Sequence, residues 1–212
     1  MSIRYHVESG VATLELARPE KKNALTLAMY SALAGHLESA ARDDAVRAVL
    51  IAGQPGIFTA GNDLHDFLQS PDLTADAPQI RFMLTLAGME KPVVAAVTGA
   101  AVGIGVTMLL HCDLVYLADD ARLSMPFVSL GLVPEFASSL LLPLWAGQAR
   151  ASEKILLGLP FGAEEALAMG LASAVLPAAG VLAHARAMAA RFNALPPGAV
   201  RESKRLLRRA QA

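Results

Sequence analysis

The chain has 212 residues, of which 54% are apolar and 17% charged, with 18 Lys plus Arg against 19 Asp plus Glu. That length supports one well-buried core rather than several independent domains, and the apolar excess points to surface hidden in an oligomer. The near-neutral balance supplies no field for nucleic acid or an anionic membrane, a single cysteine excludes an internal disulfide, and no uninterrupted apolar run reaches the roughly 18 residues of a membrane span.

The opening MSIRYHVESG alternates where a signal peptide would run basic then apolar, which predicts a strand and a cytoplasmic location. IRYHVE and VATLELA flank Ser9-Gly10, the pattern of a β-hairpin. From Thr26, a plausible N-cap, to about Arg42, the spacing of Leu27, Tyr30, Leu33, Ala34 and Leu37 predicts an amphipathic helix. VRAVLIAG, PVVAAVTG and DLVYLAD read as strands buried on both faces. VGIGVTMLLH reads as the first turns of a buried helix, and a further helix is expected after Pro134 through Trp145. The remainder, with AEEALAMG, VLAHARAMAARFNA and PPGAVRESKRLLRRAQA, is mostly helical, broken by LASAVLP and by Pro196-Pro197. Near the end Arg201, Lys204, Arg205, Arg208 and Arg209 outnumber Glu202 and read as a solvated helix face.

Two glycine-bearing loops follow strands. GIFTAGNDL (56–64) sets Ala60 and Gly61 before a polar helix start, and GAAVGIGVTM (99–108) sets Gly103 and Gly105 around Ile104. Free N–H groups at such helix starts can converge on a developing oxyanion, although glycine there more often serves tight packing. The order GxGxxG of a dinucleotide site is absent. In SMPFVSLGLVPEFASS (124–139) one carboxylate, Glu135, stands in an apolar stretch, where an acid is paired, exposed, or kept for perturbed basicity. Leu132, Val133 and Phe136 would raise that basicity and a helix starting near Pro134 would lower it, and the sequence leaves the balance open. Asp63 reads as a helix cap, and the adjacent His111 and Cys112 diverge on a helix and read as packing. His6, His36, His65, His111 and His184 fall into no ligand spacing, so no metal is assigned.

The linked stretches RPEKKNAL, FTAGNDL, AAVTGAAVGIGVTMLLHCDLVYLADDARLSMPF and LGLVPEFASSLLLPLWAG, in order through nearly the whole chain, resemble the crotonase, or enoyl-CoA hydratase/isomerase, superfamily. The resemblance implies an α/β fold, a right-handed spiral of ββα units over 1–195, with 196–212 starting a C-terminal helical region that the family carries further. It implies an acyl-CoA thioester as substrate and partner, no separate cofactor, a homotrimer or dimer of trimers, and a place in fatty acid metabolism such as β-oxidation. By motif, the thioester oxygen would be held by the N–H groups of Ala60 and Ile104. CoA would meet Asn23, Ala24, Leu25, the run Ala60, Gly61, Asn62, Asp63 and Leu64, and Gly103, with Lys21 or Lys22 as candidate phosphate contacts that are otherwise simply solvated. Where the family's hydratases carry two glutamates this chain has Thr107 and Phe127. Glu135, in its PE..SS context after MPF, is similar to the single glutamate of the 3-enoyl-CoA to 2-enoyl-CoA isomerases. The alternatives are another acyl-CoA reaction of the superfamily, such as hydration, a thioesterase-like step or a retro-Claisen step, or a silent acyl-CoA binder.

Overall fold

The structure is a computed structural model that describes residues 2–69, 74 and 76–209. β1 (Ile3–Glu8) and β2 (Val11–Leu16) form the expected hairpin, pairing from Ile3 with Leu16 to Glu8 with Val11. Ser9 and Gly10 both have positive φ, 48° and 72°, the mirror-image turn that matches the strands' twist. α1 (Leu27–Arg42) starts where Thr26 accepts the Met29 N–H at 3.2 Å, and it buries Met29, Tyr30, Leu33, Ala34, Leu37 and Ala40.

Strand pairs followed by helix then recur. They are β3 (Ala48–Ala52) and β4 (Ile57–Thr59) with α2 (Leu64–Gln69) and α3 (Pro78–Ala87); β5 (Val93–Val97) and β6 (Ala100–Val102) with α4 (Ile104–Thr107); and β7 (Leu114–Ala118) and β8 (Arg122–Ser124) with α5 (Ser138–Ala146) and α6 (Gln148–Leu156). β9 (Phe161–Gly162), α7 (Ala163–Ala168), β10 (Ala174–Leu176), α8 (Val181–Ala190) and α9 (Pro197–Arg209) complete the chain. The first strand of each pair joins a six-stranded sheet, β1-β2-β3-β5-β7-β10, and the second a four-stranded sheet, β4-β6-β8-β9. All pairings are parallel except β1 with β2 and β8 with β9. Each ββα step therefore advances both sheets together, as the spiral requires. β3 and β5 are buried along their whole length, which explains their continuous apolar runs. Val94, Leu50 and Tyr116 on one face of the large sheet share a cluster with Val181, Ala185 and Ala189 of α8, while the opposite face packs on α1 and α3.

Four sequence expectations change here. LASAVLP, read as a break between helices, contributes β10, the last strand of the large sheet, beside β7. The buried helix at VGIGVTMLLH is α for one turn and then 3-10 over Met108–His111. The helix expected from Pro134 starts only at Ser138, because Phe136 and Ala137 stand in the left-handed region at φ 54° and 52°. The basic C-terminal stretch is not simply solvated. Lys204 is buried and its ammonium donates to Asp113 at 2.6 Å and to the Lys91 carbonyl at 2.8 Å. Arg208 is half-buried and donates to the His111 carbonyl at 2.8 Å. Arg201 and Arg205 do stay exposed, and residues 210–212 of that region lie outside those described. Among the described residues no helix is long and apolar enough to cross a membrane.

Candidate active site

Accounting for backbone donors locates the site, because a buried N–H rarely goes unpaired without a reason. Along the loop after β4, the Ala60 N–H donates to the Lys22 carbonyl at 2.9 Å, the Gly61 N–H to Thr59 Oγ1 at 3.1 Å, and the Asp63 N–H to the Leu25 carbonyl at 2.9 Å. Leu25 and Asn62 form a parallel bridge, with the Leu25 N–H donating to the Gly61 carbonyl at 2.8 Å. In such a bridge the neighbours of Asn62 make the bonds and its own N–H points the other way. Among the described residues it has no acceptor. The expectation for Ala60 is thereby corrected: its N–H is spent on Lys22, and the free donor of this loop is that of Asn62, two residues on.

The loop after β6 repeats the pattern. The Gly103 N–H donates to the Ser124 carbonyl at 2.9 Å, while the N–H groups of Val106 and Thr107 both return to the Gly103 carbonyl. Ile104 is the first residue of α4, where an N–H has no partner within the helix, and none is found among the described residues. The two loops lie side by side because β4 and β6 pair, Thr59 with Ala101. Gly61 (φ +90°) allows the approach, since a Cβ there would meet the Val102 carbonyl oxygen at 2.9 Å, and a Cβ on Gly105 would meet Thr59 Cγ2 at 2.5 Å. Glycine is needed at both positions for the strands to close.

The residues around Asn23, expected to contact a ligand, also build this loop. Asn23 is fully buried; its Oδ1 accepts the Arg18 N–H at 2.7 Å, its Nδ2 donates to the Phe58 carbonyl at 3.0 Å, and its carbonyl accepts from Thr59 Oγ1 at 2.6 Å. Leu25 is core, and the Ala24 carbonyl takes Arg18 Nη1 at 2.9 Å. Asp63 precedes α2 and accepts the His65 N–H at 3.1 Å, the cap that its position implied. Its other oxygen takes Arg18 Nη1 at 2.7 Å, and that bond holds the Asp63 carboxyl below its ordinary range. Leu64, Lys21 and Lys22 are exposed.

Glu135 is half-buried in the turn between β8 and α5. Burial raises its pKa from 4.5 to about 7, opposed by the Thr107 hydroxyl, which donates to Oε1 at 3.4 Å. The balance left open by the sequence is settled by desolvation, since the helix whose N-terminus was to lower the pKa begins three residues later. Leu132 and Phe136 pack on the core beside it, whereas Val133 is 81% exposed and shields nothing. The left-handed residues Phe136 and Ala137 cost on the order of 1–2 kcal/mol each, and such strain persists only where surroundings enforce it. Ser138 helps by donating its N–H and its hydroxyl to the Glu135 carbonyl, at 3.0 and 2.6 Å.

Because the folded pKa lies above the unfolded value, the native state retains this proton longer than the unfolded chain does. Glu135 therefore subtracts stability progressively as pH rises from 4.5 to about 7. Glu135→Gln is expected to exceed the parent in urea midpoint at about pH 8 and to lose that advantage at about pH 4. An advantage equal at both pH values would contradict the raised pKa.

Three neighbours take a part at the site that the sequence did not assign them, His111 having been read as packing. Tyr30, assigned only to a helix core face, donates its hydroxyl to Asn62 Oδ1, and the nearby Glu135 charge adds to burial in raising its pKa. Arg18 anchors Asp63. His111 places Nε2 2.8 Å from the Phe136 carbonyl and stacks on that ring. Cys112 is buried with its thiol pushed up to about 12, which leaves it inert, as the packing assignment implied. Phe127 is buried close to Gly103 at the start of α4. The arrangement thus offers one poised carboxylate beside two backbone donors. A groove of about 730 Å³ between α1, α3 and the start of α9 is lined by neither Glu135 nor the donor loops; its lining is charged and its position follows helix ends, so the chemistry is assigned to the Glu135 constellation.

Comparison with known proteins shows the family. The family described as Enoyl-CoA hydratase/isomerase matches residues 6–212. The chain is 41% identical over 175 residues to 1,2-epoxyphenylacetyl-CoA isomerase of Escherichia coli K12, covering 78% of this chain and 66% of that protein. It is 36% identical over 208 residues to enoyl-CoA delta isomerase 2 of Rattus norvegicus, covering 95% and 53%. The chain therefore spans about half to two thirds of the length of these relatives, and hydratases stand among the similar proteins too. The structure of Pseudomonas aeruginosa OdaA superposes with a TM-score of 0.96 at 55% identity, covering 99% of this chain and 85% of that one.

Proposed function

The chain belongs to the enoyl-CoA hydratase/isomerase, or crotonase, family, and on that premise we propose that it is an acyl-CoA isomerase moving a double bond from C3 to C2 of an enoyl-CoA thioester. The observation that carries this reading is that the Glu135 carboxylate stands without a glutamate at either hydratase position. At the two positions where the family resemblance expects hydratase glutamates stand a buried threonine, whose hydroxyl leans on Glu135, and a buried phenylalanine. Neither can act as a general base on water.

The Glu135 carboxylate removes a proton from C2, next to the thioester carbonyl, and the electron pair moves onto the carbonyl oxygen as a dienolate. The N–H groups of Asn62 and Ile104 receive that oxyanion, each such donor contributing roughly 10²- to 10³-fold in rate. The now neutral Glu135 returns the proton to C4, the C3–C4 double bond becomes C2–C3, and no water is added. A carboxyl with a pKa of about 7 suits both halves, since it takes and gives a proton near neutral pH. CoA is part of the substrate. Exposed apolar side chains between the two ends of this region, Val128, Leu130, Val133, Leu140 and Leu144, support assembly as a trimer or dimer of trimers.

The distinguishing experiment compares conversion of 3-enoyl-CoA with hydration of 2-enoyl-CoA under the same conditions. Expected is appearance of conjugated-enoyl absorbance from the first substrate and little loss of it from the second. Hydration faster than isomerisation would assign the chain to the hydratases instead.

A further inference from the structure

The turn that presents Glu135 is held from behind by a group with no role in the proton transfer itself. His111, at the end of the 3-10 turn after α4, brings Nε2 to 2.8 Å from the Phe136 carbonyl. A carbonyl only accepts, so Nε2 carries the proton; burial lowers the His111 pKa and keeps the ring neutral near pH 7. Its ring lies on the Phe136 ring at 3.8 Å between centroids and 17° between planes. Phe136 and Ala137 are the two consecutive left-handed residues directly after Glu135, so the hydrogen bond and the stack act on the peptide whose conformation aims the carboxylate. His111 is itself fixed from the far side. Arg208 on α9 donates Nη2 to the His111 carbonyl at 2.8 Å, and Arg208 and Lys204 flank Asp113 at 3.7 and 2.6 Å.

Taking Glu135 as the base, as the proposed function does, we propose that His111 is a positioning residue: through its Nε2–H bond and ring stack on Phe136 it locks the strained turn that holds the Glu135 carboxylate in the site. It touches no reacting atom. Around the carboxylate stand Tyr30 from α1 and Thr107 from α4, and behind His111 stand Arg208 from α9 and Asp113 before β7, so loss of the latch leaves the other charged groups in place.

His111→Phe keeps a stacking ring but removes the donor, whereas His111→Gln removes the ring but returns an N–H near the position of Nε2. For His111→Phe, kcat is expected to fall about 10- to 100-fold, the effect of a catalytic group displaced by around an ångström. The Kd of a saturated acyl-CoA should stay within about two-fold, and His111→Gln should recover most of the lost kcat. In parallel, the Glu135 carboxyl is titrated by infrared difference against Glu135→Gln. Its midpoint should fall in His111→Phe from about 7 towards 4.5 as the freed turn opens to water. This second arm needs no turnover, so if the parent shows no isomerase activity the isomerase reading fails while the His111 proposal is still decided by the titration. An unmoved midpoint, kcat of His111→Phe within about two-fold of the parent, or equal impairment of the Phe and Gln variants would overturn it.

Discussion

Glu135→Gln is expected to lower kcat for 3-enoyl-CoA conversion by about 10²- to 10⁴-fold while the Kd of a saturated acyl-CoA changes by no more than a few-fold. Glutamine keeps the shape and volume of glutamate, so the left-handed turn, the Ser138 contacts to the Glu135 carbonyl and the packing of Phe136 all survive. What disappears is a group able to take a proton. Because that interaction belongs to the transition state, binding and turnover separate. Asp at the same position should give an intermediate defect, since it retains the carboxylate but withdraws it by one methylene. The measurement is kcat alongside the acyl-CoA Kd for parent, Gln and Asp proteins. A Gln variant that turns over within a few-fold of the parent would make Glu135 structural. Asp63, the other acid near the loops, is an unsuitable substitute because Arg18 and the His65 N–H already hold it in its charged form.

The second large effect is expected at Ile104. Ile104→Pro deletes the N–H assigned to the oxyanion, and proline is tolerated at the first residue of a helix, where no intrahelical bond is lost. Turnover should fall about 10²- to 10³-fold, the usual loss for one oxyanion donor. Ile104→Val keeps the donor and trims one methylene from the core, so it should retain most of the activity and cost about 0.5–1.5 kcal/mol of stability. Circular dichroism and thermal unfolding establish that both variants fold. Equal activity of folded Pro and Val proteins would remove this loop from the oxyanion site.

The strands that form the spine of the fold were legible because burial on both faces leaves a mark in composition: AVLIA and VVAAV contain nothing but apolar residues. β10 was not, because a three-residue strand between helices is too short to show a period and is recognised only by its pairing with β7. The same limit hid the late start of α5, since nothing in PEFASS announces two non-glycine residues at positive φ. At the site, Glu135 stood out as a charge in an apolar stretch and Ile104 as the residue framed by two glycines. The second donor was displaced by two residues because direction alternates along a bridge. Which N–H of the 60–63 loop faces outward depends on its pairing with Leu25, a contact 37 positions away in sequence. Tyr30, Arg18 and His111 escaped for a related reason. Their roles come from partners that the fold brings close, and a tyrosine on the buried face of a helix looks like core until its hydroxyl is seen to reach Asn62.

The central claim is that one carboxylate moves a proton at C2 of an acyl-CoA without adding water. It is tested most directly by incubating the protein with 3-enoyl-CoA in deuterated water and following deuterium at C2 and C4 by mass spectrometry and NMR. Expected with the parent is conversion to 2-enoyl-CoA accompanied by some exchange with solvent, no hydroxyacyl product, and loss of both conversion and exchange in Glu135→Gln. Conversion and exchange that persist undiminished in Glu135→Gln, or a hydroxyacyl-CoA as the main product of the parent, would contradict the claim.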